Sequence, residues 1–278
     1  MLNKDLFLRD PTTFTIPNDG VTTVEYPQTQ QEWDVLRYEL RAFVCEGQYH
    51  VGLERILRTY LTNLGSSKQP AVWVSGFYGS GKSHFVRMLE QYWRNLTFPG
   101  GADGRSLSDL PIDIKDLLRE LDTEAARRGG LWAAAGRLSA GADSIRLDML
   151  RIALKSAGLP TEYAPARFAL WLKRKGFYED VKAGVEEHGL SFAEELREMY
   201  VSPVLAQSLL DVYPEFAGDQ KDARSFLRTQ YPQKEEITNA EFVQTMRMVA
   251  ELQSSEIGYL PCTLLVFDEM QQAIGEDT

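Results

Sequence analysis

Nothing in the sequence constrains the fold more than Val72-Trp73-Val74-Ser75-Gly76-Phe77-Tyr78-Gly79-Ser80-Gly81-Lys82-Ser83. From Gly76 to Ser83 it carries two glycines, a lysine and a hydroxyl at the spacing of a phosphate-binding loop. Glycines there let backbone N–H groups turn inward and approach phosphates closely. Such a loop feeds a helix whose first N–H groups lack partners and whose dipole favours anions. Lys82 is expected to reach the β- and γ-phosphates, and the Ser83 hydroxyl to ligate Mg²⁺. The bland alternative is a glycine-rich turn that holds no nucleotide. The motif needs a strand before it and a helix after it. Ala71-Val72-Trp73-Val74 predicts a buried strand, and Ser83 to Trp93 predicts a helix with Phe85, Met88, Leu89 and Tyr92 on one face.

A second motif lies 186 residues beyond Lys82: Leu264-Leu265-Val266-Phe267-Asp268-Glu269, an apolar run ending in two acids. Cys262 to Phe267, bounded by Pro261 and Asp268, predicts a fully buried parallel strand. Alone this is a weak signal, because many buried strands end at an acid. Paired with a phosphate loop, it assigns Asp268 to the water shell of Mg²⁺ and Glu269 to orienting and deprotonating an attacking water. The adjacent glutamate favours ATPase over GTPase chemistry, and no Asn-Lys-x-Asp guanine signature occurs. A minimal core needs only one or two βα units between the motifs. The surplus, on the order of 100 residues, reads as an inserted helical subdomain.

The rest of the composition fits that outline. The chain has 278 residues, 44% hydrophobic and 25% charged, which excludes a disordered, collagen-like or coiled-coil class. No apolar run approaches a membrane span, and the start lacks the pattern of a signal peptide. Two cysteines, Cys45 and Cys262, without metal-type spacing suggest a reduced, cytoplasmic protein. The net charge is −10, and Tyr178 to Gly258 holds most of it, with 7 basic against 16 acidic residues. An acidic stretch of that kind does not suit a phosphate backbone, and no basic stripe for nucleic acid appears.

Residues 1–66 read as an N-terminal lead, with a hairpin over Phe14 to Val24 and two helices. Trp33, Leu36, Leu40, Phe43 and Val44 mark the first helix, and Leu53 to Leu64 the second. Residues 67–158 read as the first part of the core. Within it Leu131 to Gly136 is either a strand or a short helix, since alanine is a poor strand former. Residues 159–258 read as the acidic helical insertion, with capping boxes at Ser191-Phe192-Ala193-Glu194 and Thr238-Asn239-Ala240-Glu241, and Pro203 in a first turn. Residues 259–278 return to the core.

Other residues carry two readings each. His84 can contact a phosphate or sit on a helix surface. Phe77 and Tyr78 can stack on a base or pack against the core. Gln271 and Gln272 can sense the γ-phosphate or be ordinary surface residues. Lys173-Arg174-Lys175 suits a solvated helix end.

Val72 to Phe85 with Met88-Leu89 resembles the phosphate loop of the ATPases of bacterial BREX and phage growth limitation systems, the BrxC/PglY family. Val266-Phe267-Asp268-Glu269, with Gln272, Ile274 and Gly275 behind it, is similar to that family's second motif. The likeness is specific over roughly residues 70–93 and 262–275, looser over the first 65, and absent from the acidic insertion. It implies an α/β P-loop NTPase core of the catalytic-glutamate, AAA-like division, with a nucleotide site at Gly76, Phe77, Tyr78, Gly79, Ser80, Gly81, Lys82, Ser83 and His84. It further implies ATP and Mg²⁺ as cofactors, and a cytoplasmic role in phage defence. The partners it implies are a DNA methyltransferase, a phosphatase-like protein and small accessory factors, with self-association and DNA contact left open. Family members are much longer, so the sheet is expected to be incomplete here, with a sensor residue and any arginine finger beyond Thr278, and this chain by itself is expected to bind ATP weakly and hydrolyse it poorly. Two other readings stay open: a nucleotide-switched scaffold with little turnover, and a generic AAA+-type remodelling or DNA-processing ATPase.

Overall fold

The structure, a computed structural model, describes residues 27–139 and 144–274. The hairpin expected over residues 14–24 lies outside them. The fold is α/β and mostly helical, with a small parallel sheet of two strands. The chain forms two compact units that divide between Glu124 and Ala125. Among the described residues, no helix is long and apolar enough to cross a membrane.

The first unit is built from α1 (Gln30–Ala42), α2 (Gly47–Thr62), α3 (Lys82–Arg94) and most of α4 (Ile112–Ala126). Helical spacing puts Leu36, Leu40, Leu53, Leu57, Met88, Ile114 and Leu121 on inward faces, all fully buried. A capping box at Thr29 and Glu32 starts α1. A buried ion pair between Arg87 Nε and Glu39 Oε2 at 2.9 Å ties α3 to α1, and Ser108 Oγ donates to the Leu40 carbonyl at 2.7 Å. Gly52 lets α2 approach α3, because a Cβ there would come 2.9 Å from the Phe85 ring.

The expected buried strand over residues 71–74 does not form. These residues make no ladder, and Val72, Trp73 and Val74 are 54%, 67% and 37% exposed. A strand's burial depends on partners that its own sequence does not contain.

The second unit holds the sheet. β1 (Leu131–Arg137) pairs in parallel with β2 (Cys262–Asp268), Leu131 opposite Cys262 and Arg137 opposite Asp268. α5 (Ile145–Ser156) covers β1 closely. A Cβ on Gly136 would come 2.9 Å from Ile152, and Ser156 Oγ donates to the Ala133 carbonyl at 2.8 Å. The small side chains of the Ala133-Ala134-Ala135-Gly136 run are therefore what this packing requires. β2 is parallel as expected but only half-buried, with Cys262 and Val266 its sole buried residues. Among the described residues the sheet has two strands, each with one edge unpaired. Between β1 and β2, the acidic stretch folds as helices α6 (Tyr163–Lys175), α7 (Tyr178–Glu186), α8 (Phe192–Arg197), α9 (Pro203–Val212), α10 (Gln220–Gln230) and α11 (Asn239–Leu252) around Phe168, Leu172, Val181, Leu205, Leu209, Leu227 and Val249.

Candidate functional site

The two sequence motifs fall in different units, and each stands by itself. The glycine-rich loop belongs to the first unit and the acidic pair to the second.

In the loop, Gly79 and Gly81 take φ of 77° and 81°, the left-handed region that glycine enters without penalty. Gly81 is the N-cap of α3, with no side-chain cap, and its carbonyl accepts the first helical bond from Phe85 N at 2.8 Å. The first N–H groups of α3 therefore face the loop rather than a capping side chain. Gly76 and Gly81 are glycines for space: a Cβ on Gly76 would lie 2.7 Å from Ser80 Oγ, and one on Gly81 would lie 2.0 Å from Tyr49 Oη. Lys82 folds back over the loop, and its Nζ donates to the carbonyls of Gly76 and Phe77, both at 2.9 Å. An ammonium so held lies within the curve of the loop, where an anion can exchange for the carbonyls.

Tyr49 of α2 adjoins this loop, and sequence reasoning missed it. Its hydroxyl donates to the Ser80 carbonyl at 3.3 Å, and its ring stacks on Phe85 with centroids 5.9 Å apart. Only its i+3 and i+4 spacing to Gly52 and Leu53 hints at an inward position. His84 is half-buried against Phe43, ring centroids 5.6 Å apart, so it is not a free surface histidine. Burial, and secondarily the Arg87 charge, lower its proton affinity below the ordinary value. Its backbone N–H lies in the first turn of α3. Phe77 and Tyr78 do not pack on the core; they are 90% and 98% exposed.

In the acidic motif, Asp268 is the last residue of β2, and its Oδ1 accepts the Glu269 N–H at 2.9 Å. Glu269 has φ of 59°, a conformation that costs a non-glycine residue about 1–2 kcal/mol. That sharp corner turns the chain from β2 into α12 (Met270–Ile274), whose first bond runs from Gln272 N to the Glu269 carbonyl at 3.0 Å. Parallel pairing sets Arg137 of β1 beside the corner. Arg137 Nη2 is 3.7 Å from Glu269 Oε1 and donates to Gln272 Oε1 at 3.5 Å. Arg137 is the second residue that the motif search overlooked, and strand register is what brings it there. Gln271 and Gln272 are both exposed, and Gln272 is the one that Arg137 engages.

Cys45 and Cys262 are buried and are not joined in a disulfide. Lys173, Arg174 and Lys175 form the last turn of α6, as the dipole favours. No protein-family model matches the chain, and no solved structure matches it.

Proposed function

We propose that this chain binds ATP through residues 76–83 and hydrolyses it with Glu269 as general base, as the ATPase component of a BREX-like defence system. The observation that carries the reading is the loop itself. Two left-handed glycines, an uncapped helix N-terminus and a lysine folded onto loop carbonyls form a cradle for a polyphosphate. Its donor set suits the group: backbone N–H groups and an ammonium for phosphate, and the Ser83 hydroxyl for Mg²⁺; the part given to Asp268 rests on the sequence motif. Bound Mg²⁺ neutralises phosphate charge. The chain's own residues do the rest. Lys82 leaves the Gly76 and Phe77 carbonyls for the phosphates. Glu269 orients a water and takes its proton, once its carboxylate leaves Arg137. The defence setting, the methyltransferase and phosphatase-like partners and the cytoplasmic location rest on the sequence resemblance.

The test is ATP titration by calorimetry with phosphate release measured alongside. Lys82→Ala should lose ATP binding while keeping its circular dichroism spectrum, because the side chain supports only two loop carbonyls. Unchanged affinity in that variant would sink the reading.

A further inference from the structure

We infer that His50, Glu54 and Asp113 form a zinc-class divalent-cation site in the first unit, independent of the nucleotide reading. His50 and Glu54 are four residues apart on α2, so they share one face of the helix. Asp113 comes from the first turn of α4, 63 residues along the chain from His50. One ligand atom from each of the three lies within 4.8 Å of the others. Sequence spacing alone gives no such convergence; two helices must be packed to produce it.

The donor set chooses the ion. One imidazole nitrogen with two carboxylates suits Zn²⁺ and its neighbours, whereas Mg²⁺ and Ca²⁺ prefer all-oxygen sites. Tetrahedral Zn²⁺ with bonds near 2.0–2.1 Å spaces its ligands about 3.3 Å apart, leaving a fourth position for water. His50 Nε2 and Asp113 Oδ2 are 2.6 Å apart, so they must open by about 0.7 Å. The side chains of His50, Asp113 and Glu54 are 31%, 36% and 34% exposed, so that adjustment disturbs no packed core. The ion would take the place of the proton now shared between His50 and Asp113. Its two positive charges would balance the two carboxylates. Arg58, whose Nε lies 2.8 Å from Glu54 Oε1, is the competitor, and Glu54 has a second oxygen to offer. The consequence is a clamp between α2 and α4. Tyr49, beside His50, holds the Ser80 carbonyl, so the clamp steadies the helix that walls the phosphate loop.

The experiment uses the full chain, stripped by chelator and free of nucleotide, titrated with Zn²⁺ at pH 7.5 and then at pH 5.5. One equivalent should bind and raise the melting temperature. Binding should weaken at the lower pH, where protons compete with the metal for the ligand atoms. His50→Ala and Asp113→Asn should each weaken it by 10-fold or more. Asp113→Asn keeps a hydrogen-bond partner for His50, so the folded chain is still testable if His50→Ala unfolds. Ser83→Ala and Cys45→Ser should leave binding unchanged. No bound equivalent, or zinc that survives Asp113→Asn but is lost with Cys45→Ser, would overturn the site.

Discussion

Glu269 sits in a backbone conformation that a glutamate enters at a cost, and that cost separates stability from function at one position. A glycine there would relieve about 1 kcal/mol of strain. Glu269→Gly is therefore expected to melt at or above the parent temperature while losing ATP turnover. Glu269→Gln should keep ATP affinity and lose turnover by ~10²-fold or more, since an amide accepts no proton. Calorimetry and phosphate release on the two variants check both outcomes, and equal turnover in either would move the base elsewhere. Arg137 acts on the same carboxylate through a loose contact of 3.7 Å, with the arginine side chain 63% exposed. An exposed pair of this kind is worth about 1 kcal/mol at most. Arg137→Ala should thus change turnover by no more than about fivefold, and a larger change would assign the guanidinium a direct role in the reaction.

At the scale of elements, local signals were legible where the partner was local too. The Thr238-x-x-Glu241 box forms as its residues predict, with Thr238 Oγ1 accepting from Glu241 N at 3.2 Å and Thr238 N donating back to the Glu241 carboxylate at 2.9 Å. Pro203 also takes its place in the first turn of α9. The matching pattern at Ser191 makes no side-chain cap; the Glu194 N–H goes to the Ser191 carbonyl instead, at 3.0 Å. The strand identity of Leu131–Arg137 was ambiguous for the opposite reason. Its alanines look unlike a strand until α5 is set against them, and that packing is a tertiary fact. Gly136→Ala should accordingly cost about 1–3 kcal/mol, because the new methyl would press on Ile152. Denaturant unfolding reads that directly, and a neutral result would mean that α5 gives way freely. Glu241 adds a pH signature. Hydrogen bonds from Lys234 first, then from Thr238, hold its carboxyl down to about 2 from an ordinary value of 4.5. A depressed carboxyl stabilises the folded chain above its unfolded value, so this contribution is full above pH 5 and fades as pH falls toward 2. Parent and Glu241→Gln melting temperatures should converge over that window. A gap that stays constant from pH 7 to 2 would show that the carboxylate charge contributes nothing.

At the scale of the whole chain, the acidic helical stretch and the parallel strand ending in Asp268 were legible, while the environment of Val72-Trp73-Val74 was not. Apolar content predicts burial only when something covers it. Among the described residues, these make no ladder, and the two-stranded sheet of the second unit pairs with no further strand. Short apolar segments of high strand propensity with unsatisfied backbone are templates for pairing between chains. Trp73, at 67% exposure, is the largest of the three. Two outcomes of Trp73→Lys are separated by their size. A surface substitution stays within about 0.5 kcal/mol, whereas removing a buried tryptophan costs about 3–5 kcal/mol. With Trp73 exposed, the lysine variant should melt within a few degrees of the parent and show less concentration-dependent association by sedimentation velocity. A drop of about 10 °C or more would mean that the segment is a core strand in solution after all.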